Sequence, residues 1–171
     1  MILDPILDAP MAIQIHVFTV VPAAVLAAVM LVMRKGTPIH KIIGRVWAGL
    51  MAVTAISTFF IHSIRMAGPF SPIHLLSIFT LWGCVIIVWS ARTGRFDVHR
   101  RNVLSLIWGG LGVAGAFTLA PGRIMNQVLF GGMNVGWTPA IVLTVISTVA
   151  LVVIQRSGMA RAPQTPSTAR N

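Results

Sequence analysis

Carboxylates are almost missing from this chain. It holds Asp4, Asp8 and Asp97 and no Glu. That excludes chemistry built on a buried carboxylate pair, and equally a proton relay through intramembrane Asp or Glu. Charge of either sign is scarce, at 9% of residues against roughly 25% in a soluble domain. A water-soluble globule, a disordered chain and a coiled coil are thereby set aside. Cysteine occurs once, as Cys84, so neither an internal disulfide nor a Cys-type zinc site can form. Within an apolar run it is expected to serve as a small buried hydrophobe. The first ten residues contain no Lys or Arg. They lack the basic start of a signal peptide, and the first apolar run is expected to stay in the mature protein.

What the chain does have is apolar length. Hydrophobic residues make up 56% of its 171 residues, and the mean hydropathy is +0.87. A helix needs about 20 apolar residues to cross the hydrocarbon layer. Five segments qualify: 11–33, 44–66, 72–91, 101–120 and 137–155. Lys and Arg collect on the cytoplasmic side of membranes. Arg34, Lys35, Lys41 and Arg45 flank the first connection, and Arg92, Arg95, Arg100 and Arg101 the third. Arg156, Arg161 and Arg170 follow the last span. The second and fourth connections carry only Arg65 and Arg123. The alternation predicts an all-α multi-pass bundle in a bacterial inner membrane, N-terminus out and C-terminus in. The bundle forms one domain over 1–156, followed by a flexible cytoplasmic tail over 157–171. The net charge of +10 is then a positive-inside pattern that faces anionic lipid head groups. No separate basic domain exists to hold nucleic acid.

Helix ends carry their own signals. Thr37-Pro38, Ser71-Pro72 and Thr138-Pro139 each read as an N-cap followed by Pro in the first turn. Asp97 suits the cap of the fourth span, and the second helix is expected to run from near Pro38 to Met66. Arg123–Asn134 is too polar and too interrupted by Gly to span, and is expected on the outer interface. Trp47, Trp82, Trp89, Trp108 and Trp137 suit interfacial anchoring. Pro22 predicts a kink in the first span.

The chain also resembles itself. A shift of 58 residues brings His16 onto His74, Arg34 onto Arg92, Gly36 onto Gly94 and Arg65 onto Arg123. With small insertions His40-Lys41 meets His99-Arg100, and Trp47-Ala48-Gly49-Leu50 meets Trp108-Gly109-Gly110-Leu111. Four core helices would then be two tandem hairpins, 11–66 and 72–123, with a fifth helix outside the repeat. Parallel repeats of this type are related by an axis along the membrane normal.

This symmetry sorts the histidines. His16 and His74 should meet near the outer surface with His62, Arg65 and Arg123. Thr54, Thr58, His62 and Arg65 fall on one face of a helix. Two imidazoles from opposed helices can ligate a b-type haem iron, and two arginines can pair with its propionates. The alternative for the same residues is polar packing across helices. His40 and His99 form an inner pair, a possible second site. It suits an anion, a second haem or solvated interfacial histidines. Gly110-Leu111-Gly112-Val113-Ala114-Gly115 has dinucleotide-fingerprint spacing without the strand or acid that motif needs. It reads instead as small residues for close helix packing. No Ser or Cys nucleophile has a base at hand, so no enzymatic set is assembled.

Several motifs carry a family resemblance. They are His40-Lys41-x-x-Gly44-Arg45, Gly68-Pro69-Phe70-Ser71-Pro72-Ile73-His74-Leu75-Leu76, His99-Arg100, and Ala114-Gly115-x-x-Thr118-x-x-Pro121-Gly122-Arg123. The run from His40 to Arg123 resembles a family of predicted bacterial integral membrane proteins known only as a domain of unknown function. The resemblance implies this architecture and no particular activity. In layout the chain is also similar to cytochrome b561-type bundles, which set histidines on alternating helices around two b-type haems. The inner pair here lies closer to the cytoplasm than that pattern places it. Three functions are therefore in view. The first is haem-based electron transfer near the outer face, with a quinone as redox partner. The second is an accessory subunit of a larger membrane complex. The third is a small transporter or channel.

Overall fold

The computed structural model describes residues 4–61, 72–130 and 136–159, and among these every regular element is a helix. The elements are α1 (Asp4–Leu7), α2 (Met11–Val32), α3 (Pro38–Thr58), α4 (Pro72–Arg92) and α5 (Phe96–Ser105). A π-helical segment, Leu106–Gly112, continues α5 into α6 (Val113–Thr118). A short α7 (Ile124–Phe130) and a long α8 (Thr138–Met159) complete the chain. Met11–Val32, Pro38–Thr58 and His74–Arg92 are long and apolar enough to cross a membrane, and Thr138–Ile154 is a shorter apolar helix. Their outward faces are apolar: Phe18, Val25, Ile56, Leu75 and Val149 are all exposed. In water such faces would aggregate; in lipid they are solvated. The chain is a membrane protein.

Local chemistry places the helix ends. α2 stops where the Lys35 ammonium donates to the carbonyls of Met30, Leu31 and Met33, at 2.6, 2.9 and 2.8 Å. These are acceptors a helix end leaves unpaired. Gly36 then turns the chain at φ +81°, which a side chain would resist. The Thr37 hydroxyl accepts from the His40 N–H at 3.1 Å, with Pro38 in the first turn. The equivalent turn before α5 uses Gly94 at φ +70°. There the expected cap moves. Arg95 is the cap residue, and Asp97 sits within the first turn, where it favours the helix dipole without a capping bond.

α3 ends earlier than its apolar pattern predicts, at Thr58 rather than Met66. The amides of Phe59, Phe60 and Ile61 bond back three residues, to Ile56, Ser57 and Thr58, so the chain tightens out of α geometry. The hydroxyls of Ser57 and Thr58 both bond the Thr54 carbonyl, which competes with the helical ladder. The expected cap Ser71 and the two site residues His62 and Arg65 lie outside the described residues. So does most of the expected tail.

Packing runs in chain order. α2 lies on α3, α3 on α4, and α4 on α5 and the π segment, which also touches α2. α8 packs against α5, the π segment and α6. The main core joins Ala23, Ala27 and Met30 of α2, Trp47 and Met51 of α3, Cys84 and Ile87 of α4, and Leu106 and Ile107. Cys84 is the buried hydrophobe expected of it. Trp47 is not an interfacial anchor: it is 1% exposed, at the centre of this core. Trp82, Trp89 and Trp137 are exposed, but Trp82 lies midway along α4, away from either end of the helix, where an interfacial anchor does not sit.

The glycines of the fourth helix let neighbours approach. A Cβ on Gly112 would run into the Ser147 hydroxyl of α8, and one on Gly110 would lie 3.7 Å from both Met51 and Thr80. No strand precedes them among the described residues, so the dinucleotide spacing is a packing pattern. Gly112→Ala should therefore push α8 off its seat and cost about 1–3 kcal/mol, the range for overpacking. SDS titration in mixed micelles would read this as an earlier unfolding midpoint, with Gly49→Ala, which meets open space, as the neutral comparison.

Candidate functional site

The end of the bundle where α2 and α4 begin carries a closed polar network. His16 lies in the second turn of α2 and faces the last turns of α3. Its Nδ1 is 3.1 Å from the Thr54 carbonyl and 3.2 Å from both the Ser57 and Thr58 hydroxyls. Those hydroxyls donate their own protons to the Thr54 carbonyl, at 2.7 and 2.9 Å. Thr54 Oγ1 donates to Thr19 Oγ1 at 2.8 Å, and Thr19 returns its proton to the Ile15 carbonyl at 2.8 Å. The network thus decides the tautomer. The Thr54 carbonyl can only accept, so its contact with Nδ1 puts the proton there and leaves the lone pair on Nε2.

His74 opens α4 at the same end. It is buried, and its ring lies against Phe59 just past α3, with centroids 5.6 Å apart and planes tilted by 48°. His16 and His74 therefore approach the same end of α3 from two helices. Arg123 follows α6 at this end, its guanidinium 4.3 Å over the Phe117 ring. α7 closes the end from the side: Val128, fully buried, packs with Ile6 and Val17. The polar, Gly-interrupted stretch after Arg123, expected on the outer interface, thus begins with a short helix. Thr19 and Ser57 complete the network, and reading by charge and histidine misses them. Their signal is spacing, since Thr19 lies one turn from His16 and Ser57 one turn from Thr54.

His40 and His99 lie toward the other end. From His40 to Thr54 is about 21 Å along α3 at 1.5 Å per residue. His40 interacts electrostatically with His99 and with Lys35. His99 Nδ1 is 3.0 Å from the Ile87 carbonyl, which fixes its proton on Nδ1 as in His16. His40 Nδ1 is buried without a hydrogen-bond partner among the described residues, as is Nε1 of Trp47, two turns along the same helix. The expected outer and inner groupings are thus partly assembled. His16, His74 and Arg123 share one end, and His40 and His99 lie together nearer the other.

Comparison with protein-family models, with curated proteins and with solved structures gives no match.

Proposed function

We propose that this protein is a small multi-pass component of a bacterial inner membrane that carries a b-type haem near its outer face and passes electrons through it. His16 and His74 are the iron ligands. Arg123, with Arg65, pairs with the propionates, and a quinone is the redox partner. The observation that carries the proposal is the fixed tautomer of His16. Its Nδ1–H is held by the Thr54 carbonyl, which leaves Nε2 as the lone-pair donor. Ligating histidines are typically oriented in this way by a bond from the second ring nitrogen. When bound, the haem supplies a one-electron Fe(III)/Fe(II) couple, tuned by its axial ligands and their hydrogen bonds. The chain's own residues orient an imidazole, exclude water with the α1 and α7 cover, and offer a cation to the propionates.

The proposed layout is four core helices as two tandem hairpins, with α8 as the fifth span, N-terminus out and C-terminus in. Two features support it. Gly36 and Gly94 hold matching left-handed turns, and α8 packs only on the fourth helix and its extensions among the described contacts. His40 and His99 are the candidate second site in this layout.

The test is the visible spectrum of the purified protein after haem-replete expression, oxidised and then dithionite-reduced, with a pyridine haemochrome count. A b-type Soret and α band at one haem per chain is expected. A colourless preparation overturns the proposal. It would favour the accessory-subunit reading, for which the internally satisfied hydroxyl network of His16 is the supporting observation: such a network also packs helices without any cofactor.

A further inference from the structure

α4 and α5 diverge from their shared turn and leave a groove of about 430 Å³ between them. Its lining is Trp82, Val85, Ile86 and Trp89 from α4, with Val98 and Asn102 from α5. The α4 residues fall at i, i+3, i+4 and i+7, so they form one stripe about 10 Å long. The polar groups in this wall are muted: the Asn102 amide donates to the Val98 carbonyl at 2.9 Å. What remains is a long apolar slot open to the surroundings of the bundle.

One end of the slot is basic. The Arg95 guanidinium lies 4.7 Å from the centre of the Trp89 ring, which holds it over the mouth. Arg92 lies one turn beyond Trp89 on the same stripe. Both side chains are exposed, and among the described residues neither forms an ion pair. The backbone of the turn is already satisfied, since Thr93 N–H reaches the Trp89 carbonyl and Arg95 N–H the Ser90 carbonyl. The guanidinium groups are therefore free to take an anion. An apolar slot with fixed cations at one mouth is complementary to a molecule with a hydrocarbon chain and a phosphate at its end.

We propose that the α4–α5 groove binds one anionic phospholipid, with an acyl chain along the Trp82–Trp89 stripe and its phosphate on Arg92 and Arg95. This goes beyond the haem proposal and does not depend on it. A zwitterionic lipid offers the same chain, but its head group brings its own cation to a site that is already positive. Selectivity should therefore come from the mouth and retention from the slot.

Native mass spectrometry of the full chain in detergent tests this, with phosphatidylglycerol titrated against phosphatidylethanolamine of the same chains. One phosphatidylglycerol should be retained per protein in clear preference. R92Q/R95Q should lower its retention roughly tenfold or more and remove the preference. Val85→Trp, at an exposed position that tolerates bulk, should fill the slot and lower retention of both lipids; Val85→Phe replaces it if that variant does not fold. R34Q, on the other basic turn, should change nothing. The proposal is overturned by an equal loss in R34Q, which would mark diffuse surface attraction. It is equally overturned by undiminished retention in the filled groove, or by no preference in the native protein. None of these readouts involves colour, so failure here is separate from failure of the haem proposal.

Discussion

His16→Ala should abolish the b-type spectrum while leaving the bundle folded, and His74→Ala should do the same to the colour at a greater cost in stability. The difference comes from what each side chain leaves behind. When the His16 ring is removed, the Thr54 carbonyl still accepts from Ser57 and Thr58, at 2.7 and 2.9 Å. No buried acceptor is orphaned, so the penalty of an unsatisfied polar group does not arise. His74 is instead 6% exposed and packs on Phe59, so its truncation also opens a void. Ser57→Ala combined with Thr58→Val keeps the Thr54 carbonyl as the partner of His16. It loosens the shell around the ring and should weaken haem binding by roughly tenfold, the lower end of outer-shell effects. Visible spectra, haem titration and helicity by circular dichroism read the three effects separately. Pure packing predicts another pattern: no colour in any variant, and only small losses of stability.

Reading along the chain reaches some of these features and misses others for identifiable reasons. The Thr37 cap and the burial of Cys84 follow from local chemistry, and each is present. So are three of the five expected long apolar helices, because hydropathy over about 20 residues is a sum that single residues barely disturb. The end of α3 is different. Apolar periodicity runs on toward Met66, but the helix stops where two hydroxyls turn back on the Thr54 carbonyl. A pattern of hydrophobicity contains no term for that competition. The tautomer of His16 is likewise set by atoms on α3, far away in sequence. The π segment is local, yet it cannot be read from composition. Leu106–Gly112 contains three glycines, which permit the wider turn without requiring it. The role of Trp47 was hidden for the opposite reason. Trp is common at membrane interfaces, and only the approach of α2, α4 and the π segment shows that this one is enclosed.

That enclosure makes Trp47 the position with the largest expected effect on stability. It is 1% exposed within a core cluster drawn from four helical elements. Trp47→Ala should remove its packing there and cost about 3–5 kcal/mol, the range for a buried aromatic. In lipid the loss is mainly of packing, since the hydrocarbon around the bundle is as apolar as its interior. Trp47→Phe should cost far less than its loss of volume implies. Nε1 of Trp47 is buried without a hydrogen-bond partner among the described residues, and such a group carries a penalty of about 1–3 kcal/mol. Phe leaves a smaller ring in the core but deletes the orphaned N–H, so the two terms oppose each other. SDS unfolding midpoints of native protein, Trp47→Phe and Trp47→Ala should then fall with Phe close to native and Ala far below. If Phe falls as far as Ala, the N–H holds a bonding partner in the membrane. The Nδ1 of His40, two turns away on the same helix and also without a partner among the described residues, would then mark where a water or a ligand enters beside α3.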